Sequence, residues 1–206
     1  MKTSFDKHQD LRILKTKYAI IEAFGNLIFS KCFKDITIKE ICEKANVNRS
    51  TFYLHFEDKE QLLMQSIYDV MFRMNEMAVE RCKTNDIGEY YKVISDVTFT
   101  ILTEYKQDLK RLFSYNEISL IFEPAQSYLS FNINRHIKQI KKSGKGVDLP
   151  SSLIAEFYSG GIISLAKWWI FTDVFVSQDK FKELIYILLS SFLAVTDYSK
   201  NTDTLT

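Results

Sequence analysis

A chain of 206 residues with 46% hydrophobic content can bury a sizeable core, and its two prolines and six glycines exclude a many-turned β fold in favour of long helices. A net charge of +1 excludes a uniformly basic or acidic binding protein; residues 1–59 nevertheless carry 11 Lys or Arg against 8 Asp or Glu, while the rest carries 16 against 18. Cys32, Cys42 and Cys82 are too scattered for a zinc site or a disulfide framework, and no apolar run is long enough to span a bilayer. The N-terminus MKTSFDKHQDLR lacks the apolar core of a signal peptide, so reduced thiols, a cytoplasmic location and no membrane partner are expected.

In chain order, a first helix is expected from about Leu14 to Cys32, with Ile20, Phe24, Leu27 and Ile28 as its inward stripe. Thr37 followed by Glu40 is a capping box that starts a second helix, whose apolar residues Ile38, Ile41, Cys42 and Ala45 recur at helical spacing. Asn46 stands where the chain must turn through a left-handed conformation, which Asn tolerates. Asn48 should cap a third helix. There Phe52 and Phe56 lie one turn apart and pack inward, leaving Arg49, Ser50, Thr51, Tyr53 and His55 on an outward, hydrogen-bonding face. Such a face suits a helix entering a DNA major groove. Asp58, with Gln61 in the partner position, caps a further helix to about Arg81, with Leu63, Ile67, Val70, Met74 and Met77 on one face.

Asn85 to Gly88 reads as a turn, followed by helices over about Glu89–Tyr105 and Asp108–Ser114. Pro124 suits the first turn of another helix reaching about Lys142, because its missing N–H would be unpaired there. The loop KKSGKGVDLP then separates two strongly apolar segments, about Ser152–Thr172 and Gln178–Tyr198. These over-supply apolar surface for a monomer, so Ile154, Phe157, Gly161, Leu165, Leu184 and Leu188 are expected at a homodimer interface. The aromatics Tyr105, Phe113, Phe122, Tyr128, Phe131 and Trp168 either line a pocket for a small apolar or aromatic effector or fill a core. His8 and His136 read as ordinary surface residues. No nucleophile elbow, glycine-rich phosphate loop or metal-spaced cluster is present, so no catalytic residue, metal or cofactor is expected.

Thr37, Ile41, Ala45, Val47, Thr51, Phe52, Tyr53, His55, Phe56, Lys59 and Leu62 together closely resemble the helix-turn-helix of the TetR family of transcriptional regulators. Asn46 departs from the glycine usual at that place, a small departure because Asn also adopts the left-handed turn. The resemblance implies an all-α protein: a helix-turn-helix DNA-binding domain over 1–58 and a helical effector-binding and dimerisation domain over 59–206. It implies a regulator, expected to be a repressor, whose dimer reads two half-sites of a near-palindromic operator on double-stranded DNA. The segment from Asn48 to His55, including Thr51, would lie in the groove. Arg49 and Ser50 would meet base edges, and Thr37, Tyr53, His55 and Lys59 would hold phosphates. The rivals are an activator, a co-regulator working through a protein partner, and an enzyme whose helix-turn-helix is incidental. Residues GGIISLAKWWI followed by SQDKF also resemble the dihydroxyacetone-kinase operon regulators within that family.

Overall fold

The computed structural model describes residues 4–83, 87–144, 146–172 and 176–197. Among them there are nine α-helices and no strand: α1 (Ser4–Ile28), α2 (Ile38–Ala45), α3 (Arg49–Tyr53), α4 (Lys59–Arg81), α5 (Ile87–Glu104), α6 (Lys106–Tyr115), α7 (Ser119–Lys142), α8 (Ser151–Phe171) and α9 (Gln178–Asp197). A single 3-10 turn, Phe33–Asp35, lies between α1 and α2. The chain falls into two compact units, Met1–Asp69 with Asp108–Leu120, and Val70–Gln107 with Ile121–Thr206. Residues 108–120 thus pack with the first unit, a return of the chain that a division at 58/59 does not foresee.

In the first unit, α1 packs on α2 and α2 on α3. The α1 stripe Ile20, Phe24 and Ile28 is buried as expected, together with Phe33, Ile36, Ile41, Phe52, Phe56, Leu62 and Leu63. Phe24 meets Phe33 edge-on at 6.1 Å between ring centres. Removing these side chains from water is the main force holding so small a unit together. One buried polar group is fully used: Asn116 accepts from the Phe33 N–H (2.7 Å) and donates to the carbonyls of Leu112 (3.0 Å) and Ile28 (3.4 Å). It therefore ties the end of α6 to the open C-terminus of α1, whose last carbonyls have no partner within the helix.

The second unit holds two apolar clusters. Ile133 and Ile137 of α7 pack with Ile154 and Ala155 of α8. Phe99 of α5, Trp169 of α8 and Phe181 of α9 form the other, with ring centres 4.7–5.2 Å apart. Pro124 is not in the first turn of α7 but is its sixth residue, because the helix starts at Ser119. No N–H at 124 reaches back to the Leu120 carbonyl, and the remaining turns carry the helix across the gap. The first helix ends at Ile28 rather than Cys32, where Ser30 and Lys31 fold back onto the Leu27 carbonyl. The expected turn residue Asn85 and the end at Tyr198 lie outside the described residues, as do the side chains of His8 and of the end of α9 beyond Leu188.

Candidate nucleic-acid interface and ligand cavity

The helix-turn-helix is built by its caps. The Thr37 hydroxyl accepts from the Glu40 N–H (3.2 Å), and the Glu40 carboxylate accepts from both the N–H and the hydroxyl of Thr37 (2.9 Å each). Lys31 adds an ion pair to Glu40 at 2.6 Å. The Lys31 ammonium and the two Thr37 donors hold the Glu40 carboxyl down to about 2. Asn46 ends α2 at φ 54, ψ 47, the left-handed turn expected of it. Asn48 then occupies the N-cap position of α3 in extended geometry, but without the side-chain hydrogen bond expected there.

On α3, Phe52 is fully buried while Arg49, Ser50 and Tyr53 are exposed, and Thr51 is half-buried. Leu54, just past the helix, is 82% exposed. A polar cleft of about 480 Å³ runs beside this helix, lined by Asn48 and Thr51 together with Arg12, Thr16, Glu43 and Asn46. Arg12 and Thr16 come from α1, one turn apart, with the Thr16 hydroxyl donating to the Arg12 carbonyl at 2.9 Å. Nothing in the local pattern singles them out, since they reach α3 only through the fold. His55 is half-buried against Phe56 at 6.3 Å. Burial, and then the Lys17 charge, push its imidazole below the usual histidine range. At neutral pH it offers a phosphate one N–H and no charge.

Two expected phosphate ligands are engaged elsewhere. The Lys59 ammonium donates to the carbonyls of Phe33 (2.9 Å), Ile36 (3.1 Å) and Lys34 (3.2 Å), and sits 4.6 Å above the Phe33 ring centre. An ammonium has three donors. All three close the loop between α1 and α2, so Lys59 clamps the first unit. Thr37 likewise gives both its donors to Glu40.

Within the second unit lies a cavity of about 1560 Å³, walled by α4, α5, α7, α8 and α9. Of the aromatics expected around a pocket, Tyr128 and Trp168 line it. The other four do not. Phe131 is 65% exposed, on a flank of α7 turned away from the cavity, and Tyr105 is exposed just past α5. Phe113 is half-buried in the first unit, and Phe122 is a core residue beneath the Lys167 ammonium at 5.1 Å. Aromatic content alone carries no helical phase, and phase decides which face a ring occupies.

The polar wall of this cavity is a stripe on α7, in which the expected Tyr128 is joined by four residues that sequence reading did not assign to a pocket: Asn132, Arg135, His136 and Gln139. At about 100° per residue these fall within roughly a third of the helix circumference. Spacing by three and four is the signal that could have found them. The Asn132 amide donates to the Tyr128 carbonyl (2.8 Å), and the Arg135 guanidinium donates to Asn132 Oδ1 (3.2 Å). His136 stands edge-on to Tyr91 at 5.9 Å, and its Nε2 is buried without a hydrogen-bond partner. Burial and the adjacent Arg135 charge lower its basicity. It is a cavity residue rather than an ordinary surface histidine.

The expected dimer face is corrected at one position. Ile154, only 5% exposed, belongs to the chain's own α7–α8 core, so it has no surface to offer a partner. Leu165 is half-buried against the aromatic cluster. Phe157 is 74% exposed, and Gly161, Leu184 and Leu188 are exposed as well. Apart from its chain neighbours and the nearby backbone of α8, no atom lies within 4 Å of where a Gly161 side chain would begin. Among the described residues no helix is long and apolar enough to cross a membrane, and no group of three His, Cys, Asp or Glu could hold a metal.

Residues 20–65 match the family described as "Bacterial regulatory proteins, tetR family". The HTH-type transcriptional regulator YxbF of Bacillus subtilis (strain 168) is 38% identical over 63 residues, a match covering 30% of this chain and 17% of that protein. The biofilm operon icaADBC HTH-type negative transcriptional regulator IcaR of Staphylococcus aureus (strain Newman) is 23% identical over 197 residues, covering 86% of this chain and 98% of that one. A TetR transcriptional regulator from Streptococcus agalactiae 2603V has the same fold at TM-score 0.56 and 21% identity, covering 89% of this chain and 98% of its own. The dihydroxyacetone kinase operon activator DhaS shares that fold too, at TM-score 0.56 and 17% identity, over 90% of this chain and 98% of its own.

Proposed function

We propose that this chain, which belongs to the TetR family of bacterial regulatory proteins, is a homodimeric repressor that releases its operator when a small molecule fills the cavity of the second unit. It is a DNA-binding transcriptional regulator and not an enzyme. The observation that carries the reading is the capped helix-turn-helix, with α3 seated on Phe52 and presenting Arg49, Ser50 and Tyr53 outward. Arg49 suits a guanine edge and Leu54 a thymine methyl. Asn48, Thr51, Tyr53 and His55 would position the backbone, joined by Arg12 from α1. In this reading the first unit, Met1–Asp69 with Asp108–Leu120, serves DNA, and the second, Val70–Gln107 with Ile121–Thr206, serves dimerisation and effector.

Exposed Phe157, Leu184 and Leu188 support pairing through α8 and α9 with a second copy, which would set two recognition helices on two half-sites. The likeness to a negative regulator along 98% of that protein's length supports repression. A ligand can drive release only by preferring the released conformation, and a hundredfold preference corresponds to about 2.7 kcal/mol per site. Mobility shifts with DNA flanking the chain's own gene, followed by transcription in vitro with and without protein, test the reading. Specific binding with reduced transcript supports it; raised transcript would make the protein an activator, and no specific binding would leave a co-regulator.

A further inference from the structure

The cavity has an unequal distribution of chemistry, and that asymmetry points to a class of occupant. Its α4, α8 and α9 walls are largely apolar, and on α5 the hydroxyls of Tyr90, Ser95 and Thr98 are already given to Asn75 and to the Tyr91 and Ile94 carbonyls, whereas the α7 stripe supplies Asn132, Arg135, His136 and Gln139 side by side. Among the described lining residues Arg135 is the one formal charge, and none of them is Asp or Glu. Resting on the reading of this cavity as the effector site, we propose that its ligand is an amphiphilic monocarboxylic acid, the apolar body lying among the other walls and the carboxylate on Asn132, Arg135 and His136.

A cation or zwitterion would bury a positive charge opposite no carboxylate, which is costly. A polyphosphate would bring several charges to a single guanidinium. A neutral hydrocarbon would leave the polar stripe dry, including the His136 Nε2 that is already buried without a partner. A single carboxylate avoids all three difficulties. The guanidinium has five N–H donors, of which one reaches Asn132, and its fork matches a carboxylate in two parallel hydrogen bonds. The volume of about 1560 Å³ admits either a long aliphatic or a fused aromatic body.

The test uses the full chain and two matched pairs of probes: octanoate with 1-octanol, and 2-naphthoate with 2-naphthalenemethanol. Binding is read from thermal shift and from tryptophan emission, since Trp168 lines the cavity. At least one acid should bind about tenfold more tightly than its alcohol, and which pair does so separates an aliphatic from an aromatic body. Arg135→Gln should abolish that preference while leaving the alcohol unchanged, and Arg135→Lys should restore part of it. Arg135 is exposed, so neither variant endangers folding. If acid and alcohol bind alike, or Arg135→Gln leaves the acid's affinity untouched, the carboxylate proposal is overturned and the cavity reading stands. If no probe in either pair binds, the cavity reading and the proposal fall together.

Discussion

Replacing Lys59 with Met keeps most of the aliphatic stem and removes the ammonium that closes the α1–α2 loop. Three donated hydrogen bonds of 2.9–3.2 Å and a ring contact at 4.6 Å are lost. Hydrogen bonds to a charged group contribute about 1.5–3 kcal/mol each, but these are not additive here. Lys34 is exposed, so water can replace the ammonium there, and the Phe33 carbonyl also accepts from the Ile36 N–H. A net loss of about 2–3 kcal/mol is therefore expected, or roughly 5–10 °C in Tm for a chain of this size. Calorimetry measures the first quantity. Operator affinity against salt, taken well below the melting range, measures a second. A lysine that merely neutralised a phosphate would leave Tm alone and lower the salt slope by about one. The clamp predicts the reverse, a lower Tm with an unchanged slope. Wild-type Tm with a slope reduced by one would refute the clamp and return Lys59 to the DNA face.

Arg49→Ala should cost about 1–3 kcal/mol of operator affinity and relax base preference at one position of each half-site, read by selection from randomised DNA. Phe157→Arg should give monomers in sedimentation and lose operator binding, whereas Ile154→Ala should cost about 2–5 kcal/mol of stability with dimerisation unchanged, because that side chain lies in the protomer core. His55 and His136 both have folded-state basicities below the ordinary value of 6.5. The unfolded chain therefore takes up protons first, so stability is full above pH 6.5 and falls as pH drops below it. Thermal melts between pH 7.5 and 5 should show that decline before the carboxylates titrate, and His136→Gln should flatten it. A Tm that rises on acidification through this window would contradict both assignments.

What was legible in the sequence was local. The Thr37–Glu40 box, the left-handed Asn46 and the inward Phe52 are each fixed by residues within one or two turns, and each was read correctly. The sequence assigns Lys59 to a phosphate and gives Lys31 no partner, because the partners seen are backbone carbonyls and a carboxylate brought near by the fold. Asn116 escaped for the same reason, its three partners lying in α1, α6 and the 3-10 turn. At α8 the apolar residues extend around most of the helix. Periodicity there could not tell Ile154, which faces its own α7, from Phe157, which is exposed. Aromatic rings do not mark the cavity in the sequence, because its distinguishing wall is the polar α7 stripe.

The central claim is that paired α3 helices read a near-palindromic site, and footprinting of the wild-type protein on a selected operator tests it most directly. Two protected half-sites on one face of the DNA are predicted, their centres about one helical turn or a whole multiple apart. Arg49→Ala should weaken both together. Protection of a single half-site, or uniform coverage without sequence preference, would contradict the account.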